Sequence, residues 1–291
     1  MYDHIIDKRQ VRSAFERAAA GYDQAAILQR EVCDRMLSRL EYIKHAPEVI
    51  LDAGSGTGYG TRKLLVRYPT ARMLLAIDVA RAMHLRARPP VPWWQQLWTR
   101  EHKTSYVTGD MEQMPFRDSC VNLVWSNLTL QWCNDIKQTF AEVHRVMQPG
   151  GLFMFSTFGP DTLKELRQAF RKSDDYSHVN RFTDMHDIGD VLVHSGFATP
   201  VMDMEYITLT YDDVIGVMRD LKAIGAHNVT QGRRRGLTGK AGWQRAASHY
   251  EAMRTEGKLP ATFEVVYGHA WKPQPRQSVL TSETRRKLGL A

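Results

Sequence analysis

Residues 49–60 read VILDAGSGTGYG: an apolar run, an acid, then glycine at every second position from Gly54 to Gly60. A short apolar run closing on turn residues is the pattern of a buried strand. Glycine directly after it lets main-chain N–H groups approach a ligand closely and permits left-handed backbone. The stretch therefore calls for a strand, a bare turn and a helix, and the carboxyl end of such a strand is where open α/β sheets hold ligands. It is not the dinucleotide fingerprint, since Tyr59 stands three residues beyond Gly56, and no Gly-Lys-Ser/Thr closes it as a phosphate loop requires. Asp52, at the strand end, would repel a pyrophosphate and attract an ammonium group.

The rest of the chain fits this beginning. Val11, Ala14, Phe15 and Ala18, then Val32, Met36, Leu37 and Leu40, recur at helical spacing within residues 8–44, interrupted by a turn at Gly21-Tyr22-Asp23. Strands are expected at 49–52, 73–78, 105–108, 121–125 and 152–157, with helices at 61–67 and through Ile136, Phe140 and Val143. Pro149-Gly150-Gly151 predicts a sharp stop before the fifth strand. This alternation predicts β-α-β units and a parallel sheet covered on both faces. After Gly159 the reading is helix over 161–172 and 184–195, strand over 200–210, helix over 211–225 and 240–256, and strand over 263–271. The expected architecture is α/β: a seven-stranded, mostly parallel sheet with helices on both faces and a helical insertion between the last two strands. The expected division is a helical segment over 1–45 covering the site, a core over 46–210, a basic insertion over 211–260, and a last strand with a tail over 261–291, loose from Lys272 onward. The segment containing Trp93, Trp94 and Trp98 departs from an ordinary linker and has no assigned role.

Charge narrows the partner. The 291 residues carry 39 Lys+Arg against 32 Asp+Glu, a net charge of +7. Residues 228–250 hold Arg233, Arg234, Arg235, Lys240 and Arg245 and no acid, which is +5 of that total. Such a patch steers an acidic partner. Aromatic residues are too sparsely interleaved there to stack bases, which points to an acidic protein rather than RNA. Cys33, Cys120 and Cys133 form no C-x-x-C pair, so reduced thiols, no zinc site and a cytoplasmic setting are expected. No apolar run approaches the roughly 20 residues that span a bilayer, so no membrane partner is expected.

The pattern Asp52-x-Gly54-x-Gly56-x-Gly58 resembles the first motif of the class I, Rossmann-like, S-adenosylmethionine (AdoMet)-dependent methyltransferases. Asp78 at the end of the second strand, Gly109-Asp110-Met111 after the third and Pro149-Gly150-Gly151 before the fifth resemble that family's later landmarks. The resemblance implies AdoMet as cofactor, S-adenosylhomocysteine as product and no metal. It implies that Asp52, Gly54, Gly56, Gly58 and Asn127 line the cofactor site, that Asp78 takes the ribose hydroxyls, and that Asp110, with Met111, meets the adenine. The fourth strand ends in SNLTLQWC (126–133), without the Asn/Asp-Pro-Pro of nucleic acid amino-methylating enzymes, and the chain has no Pro-Cys nucleophile dipeptide. Residues 15–29 (FERAAAGYDQAAILQ), 126–133 and 221–239 (LKAIGAHNVTQGRRRGLTG) resemble segments of the malonyl-acyl carrier protein O-methyltransferases of biotin synthesis.

That second resemblance implies methylation of the free carboxylate of a malonyl thioester on acyl carrier protein, with the arginine-rich insertion docking the carrier. The reaction needs no general base, because a carboxylate with a pKa near 4 is ionised at pH 7. Tyr22 is the first candidate to orient that carboxylate. Asn127, Gln131 and Trp132 are expected to face the methyl group. Arg145 is read either as a bidentate carboxylate partner or as a cap on its own helix, and Arg181 is a further candidate. A free small carboxylic acid or quinone precursor is the alternative acceptor, and RNA a third.

Overall fold

The alternation of apolar strands and amphipathic helices folds as one sheet. The computed structural model describes residues 5–88, 103–171, 178–225 and 239–275. Its strands are β1 (Val49–Ala53), β2 (Met73–Asp78), β3 (Lys103–Thr108), β4 (Val121–Ser126), β5 (Met147–Phe158), β6 (Ala198–Tyr211) and β7 (Leu259–Trp271), in the order β3-β2-β1-β4-β5-β7-β6. β1 to β5 pair in parallel, while β7 runs antiparallel to both β5 and β6. The chain builds outward from β1 through β2 to β3, then returns to the other side of β1 with β4. The strand order reverses there, and a crevice opens at the carboxyl ends of β1 and β4.

Burial on both faces explains the composition of the central strands. In β5, Leu152 and Met154 point into one core with Trp125, while Phe153 and Phe155 point into the other. The first core is closed by α3 (Ile27–Arg39), α4 (Tyr59–Arg67), α7 (Lys164–Arg171) and α10 (Lys240–Glu251). The second is closed by α6 (Ile136–Val146) and α8 (Met185–His194), where Phe140 meets Phe153 at 5.6 Å and Phe197 at 6.4 Å between ring centroids. Each fully buried ring of this kind contributes about 1.5–3 kcal/mol by burial.

The remaining helices are α1 (Lys8–Ala18), α2 (Tyr22–Ala25), α5 (Arg81–Ala87) and α9 (Val214–Ala223). Asp7, Asp135 and Asp213 cap α1, α6 and α9 by accepting from free backbone N–H groups. α5 has no side-chain cap of its own, and Glu16 of α1 supplies one by accepting from Arg81 N (2.7 Å) and Ala82 N (3.0 Å). Lys8, at the other end of α1, pairs with Asp110 and Glu112. These contacts lay α1 across the carboxyl end of the sheet.

Two expectations need correction. Pro149-Gly150-Gly151 does not stop the chain: β5 begins at Met147, and the pairing register with β4 shifts between Val121 and Leu123. Gly150, at φ 78°, absorbs the irregularity. Lys272 is tied down as well, with its amine donating to the carbonyls of His144 and Met147, both at 2.8 Å. The insertion does fall between the last two strands, as α9 and α10. Arg233, Arg234 and Arg235, and the segment with Trp93, Trp94 and Trp98, lie outside the described residues. No helix among the described residues is long and apolar enough to cross a membrane.

Candidate active site

The glycine turn forms the floor of the crevice. Gly54 takes φ 81°, and a Cβ built on it would lie 1.9 Å from Thr129 Oγ1, so no side chain fits. Gly56 takes φ 52°, and a Cβ there would meet nothing within 4 Å, which leaves its backbone facing open space. Two clefts meet over this floor, and Tyr22, Gly54, Gly56 and Asn127 line both.

The first cleft is largely apolar, with Ile77, Met83, Met111, Phe15 and Trp132 around Asp78 and Asp110. Asp78 accepts from Gly56 N (2.9 Å) and Ala80 N (2.8 Å). Burial pushes its carboxyl up to about 6, partly offset by those two hydrogen bonds. Asp110 accepts from Glu112 N and from the Lys8 amine. A flat base between methionines, with acids at its edge and at a sugar, matches the character of this cleft.

The second cleft is polar, and Asp52 is its deepest acid at 2% exposure. Its carboxylate accepts from Thr61 Oγ1 at 2.6 Å. Burial pushes its pKa up to about 7, the Thr61 hydroxyl pulls it back, and the negative Asp78 raises it further. Trp125 Nε1 and Gln29 Oε1 line the same cleft, and each is buried with no hydrogen-bond partner among the described residues. A Cβ on Gly60 would sit 3.2 Å from Trp125 Nε1 and 3.6 Å from Asp52 Oδ2, so donor and acceptor flank one spot. Buried polar atoms are rarely left unpaired. This set of two acceptors and one N–H donor suits the ammonium and carboxylate of an amino acid end. A molecule with a nucleoside at one end and an amino acid at the other fits the residues present.

Tyr22 projects between the clefts from α2. Its hydroxyl is held far above its ordinary pKa by burial and by the charges of Asp78 and Asp23, so it stays a hydrogen-bond donor. Asp23 fastens α2 to the glycine turn by accepting from Thr57 Oγ1. Asn127 donates to Gln29 O (2.9 Å) and accepts from Ser156 Oγ (2.9 Å), joining α3 to the end of β4. Trp132 stands edge-on to Phe15 at 5.4 Å.

Three expected residues stand elsewhere. Arg145 donates to Glu142 twice, to Asp118 and to the carbonyls of Met114 and Phe116. These contacts use all five of its N–H groups. It pins the 114–118 loop to α6 and has nothing left for a substrate carboxylate. Gln131 donates to Leu128 O (2.7 Å) and lines a neighbouring cavity with Thr157 and Arg181 instead of either cleft. Gly58 is the left-handed cap of α4 and lines neither cleft. In the insertion, Lys240 and Arg245 are exposed on α10. Lys8, Gln29 and Trp125 also line the clefts, and no sequence motif marks them.

A mostly parallel sheet of this order, with a glycine-floored donor site at its reversal point, defines a class I AdoMet-dependent methyltransferase. Residues 51–155 match the family model described as a methyltransferase domain. The YcgJ protein of Bacillus subtilis superposes with a TM-score of 0.55 over 82% of this chain and 98% of its own, at 15% identity, which speaks for the fold alone. The malonyl-acyl carrier protein O-methyltransferase of Nitrosospira multiformis is 73% identical over 99% of this chain and 97% of its own length. That of Gallionella capsiferriformans is 59% identical over 95% and 94%. The chain belongs to the malonyl-acyl carrier protein O-methyltransferase family.

Proposed function

We propose that this enzyme transfers a methyl group from AdoMet to the free carboxylate of malonyl-acyl carrier protein, giving the methyl ester that enters assembly of the pimeloyl part of biotin. The observation that carries the reading is the second cleft, where Asp52 is buried beside the glycine turn and Gln29 Oε1 and Trp125 Nε1 have no hydrogen-bond partner among the described residues. Family membership supplies the acceptor.

In this reading Asp52 and Gln29 take the ammonium of the cofactor, and Trp125 donates to its carboxylate. Asp78 takes the ribose hydroxyls. Asp110 and Met111 meet the base, and Gly54 and Gly56 let main chain close against it. When bound, AdoMet supplies a sulfonium methyl for in-line displacement: its C–S bond breaks, an ester O–C bond forms, and no proton moves. Tyr22 donates one hydrogen bond to the acceptor carboxylate and holds it in line. Trp132 and Phe15 keep water out. Alignment of this kind contributes on the order of 7–11 kcal/mol. The proposed organisation keeps residues 1–45 as the cover, 46–210 as the donor core, and 211–260 as the part that meets the carrier.

Tyr22→Phe is expected to lower kcat about 10–100-fold, the worth of one hydrogen bond to a charged group. AdoMet affinity, measured by calorimetry, should stay close to wild type, and an equal loss of affinity would assign Tyr22 to the cofactor site instead. Reversing Arg233, Arg234 and Arg235 to Glu should raise the KM for malonyl-carrier and leave malonyl-CoA almost untouched. An equal loss on both substrates would make the patch structural. The function itself is tested with labelled AdoMet against malonyl-carrier protein, malonyl-CoA, free malonate and bulk tRNA. Label should appear on the thioesters, whereas transfer to malonate alone or to tRNA would replace the proposed acceptor.

A further inference from the structure

A further cavity of about 820 Å³ borders α1 at Ala14, Arg17 and Ala18, within the range of roughly 300–1,000 Å³ typical of small-molecule sites. Its walls are Leu163, Leu166 and Phe182, with Met218 of α9. Its rim is cationic: Arg17 of α1 and Arg219 and Lys222 of α9 are exposed there. Deeper in, Asn180 is 7% exposed, and its Oδ1 atom is buried with no hydrogen-bond partner among the described residues. Gly21 lines this cavity, and its chain neighbour Tyr22 lines the cofactor clefts. Adjacent residues of the chain therefore line the two spaces.

We infer that this cavity receives the phosphopantetheine arm of the acceptor, an inference that rests on the acceptor proposed above. Each chemical part of the arm has a counterpart in the wall. The terminal carboxylate needs a donor beyond the cavity, and Tyr22, the chain neighbour of the lining residue Gly21, offers one in the cofactor clefts. The aliphatic stretches need apolar walls. Its amide N–H groups need a buried acceptor, which Asn180 Oδ1 offers, and leaving that atom unpaired is costly. The phosphodiester needs cations at the mouth. A strongly acidic carrier would then approach the same rim and be drawn by the same field.

The experiment compares three malonyl thioesters: carrier protein, CoA and pantetheine, the last identical in its arm but lacking phosphate. The exposed pair Arg219→Glu/Lys222→Glu should raise KM about tenfold for the carrier and CoA substrates, the scale of about 1.4 kcal/mol for a lost charge contact. It should leave malonyl-pantetheine within about twofold. Asn180→Leu should raise KM for all three by a similar factor with AdoMet affinity unchanged. KM values unmoved in both variants would overturn the inference while the proposed reaction stands. So would a charge reversal that costs malonyl-pantetheine as much as malonyl-CoA. If the wild-type enzyme methylates no thioester, the proposed acceptor falls, and the arm site falls with it.

Discussion

Asp52→Asn is expected to weaken AdoMet binding about a hundredfold or more, and at pH 8 to raise the melting temperature of the ligand-free protein. The two effects share one cause. Asp52 is a buried carboxyl whose pKa stands near 7 in the folded, ligand-free chain, against 3.8 in an unfolded one. A raised carboxyl pKa means that the folded state holds the proton more tightly than the unfolded state. Its contribution to stability is thus complete below pH 3.8 and lost as pH climbs through 7. At pH 8 the ionised group costs roughly 4 kcal/mol, at about 1.4 kcal/mol per pKa unit between 3.8 and about 7. Asparagine removes that cost and can still accept from Thr61.

The ammonium proposed to bind there reverses the balance by stabilising the ionised form, and removing one partner of a buried charge pair costs about 2–5 kcal/mol. Binding to wild type must then release a proton, so AdoMet affinity should rise with pH up to about 7. Below that the dissociation constant should grow as much as about tenfold per unit. In the Asn variant this dependence should largely vanish, leaving the smaller one due to Asp78, whose pKa is near 6. Calorimetry between pH 5.5 and 8.5, with thermal melts at pH 8, reads both arms. A pH-independent wild type would remove Asp52 from the cofactor site.

Gly54→Ala is expected to damage both stability and cofactor binding. The added methyl would lie 1.9 Å from Thr129 Oγ1 and 2.7 Å from Thr129 Cβ, on a backbone at φ 81°. Left-handed backbone costs an alanine roughly 1–2 kcal/mol, and overpacking adds about 1–3 kcal/mol. The expected outcome is a lower melting temperature and lost AdoMet binding. Adding Thr129→Gly should recover part of the stability, because the clash goes and the backbone penalty stays. No recovery would mean that the turn is held by something other than this contact.

What could be read from the sequence was chemistry fixed within a few residues of chain. The glycine turn after β1 and the acid ending β2 are of this kind, because strand, turn and ligand-facing main chain lie within one short segment. Arg145 shows the limit: its fork is consumed by the carbonyls of Met114 and Phe116 and by Asp118, partners that only the fold brings to it. Gln131 is similarly turned away by the carbonyl of Leu128. Trp125, Gln29 and Asn180 were illegible for the opposite reason. Their significance is that one buried atom of each, Trp125 Nε1, Gln29 Oε1 and Asn180 Oδ1, has no hydrogen-bond partner among the described residues, and an absent partner appears only after every neighbour has been assigned. Pro149-Gly150-Gly151 read as a stop because those residues break isolated strands. Backbone hydrogen bonds of Gly150 and Gly151 with Lys272 carry the strand through that stretch.

The antiparallel return of β7 carries one further consequence. β6 ends and β7 begins as direct partners, with Tyr211 opposite Leu259, so residues 212–258 leave the sheet and come back at a single rung. Such a loop is anchored like a cassette in a fixed socket. Its exposed positions can be recharged without moving β1, β2 or β4, whereas Ala246 and Tyr250 of α10 stay fixed in the first core. The surface proposed to meet the carrier can in this way change its charge while the donor half of the molecule keeps its geometry.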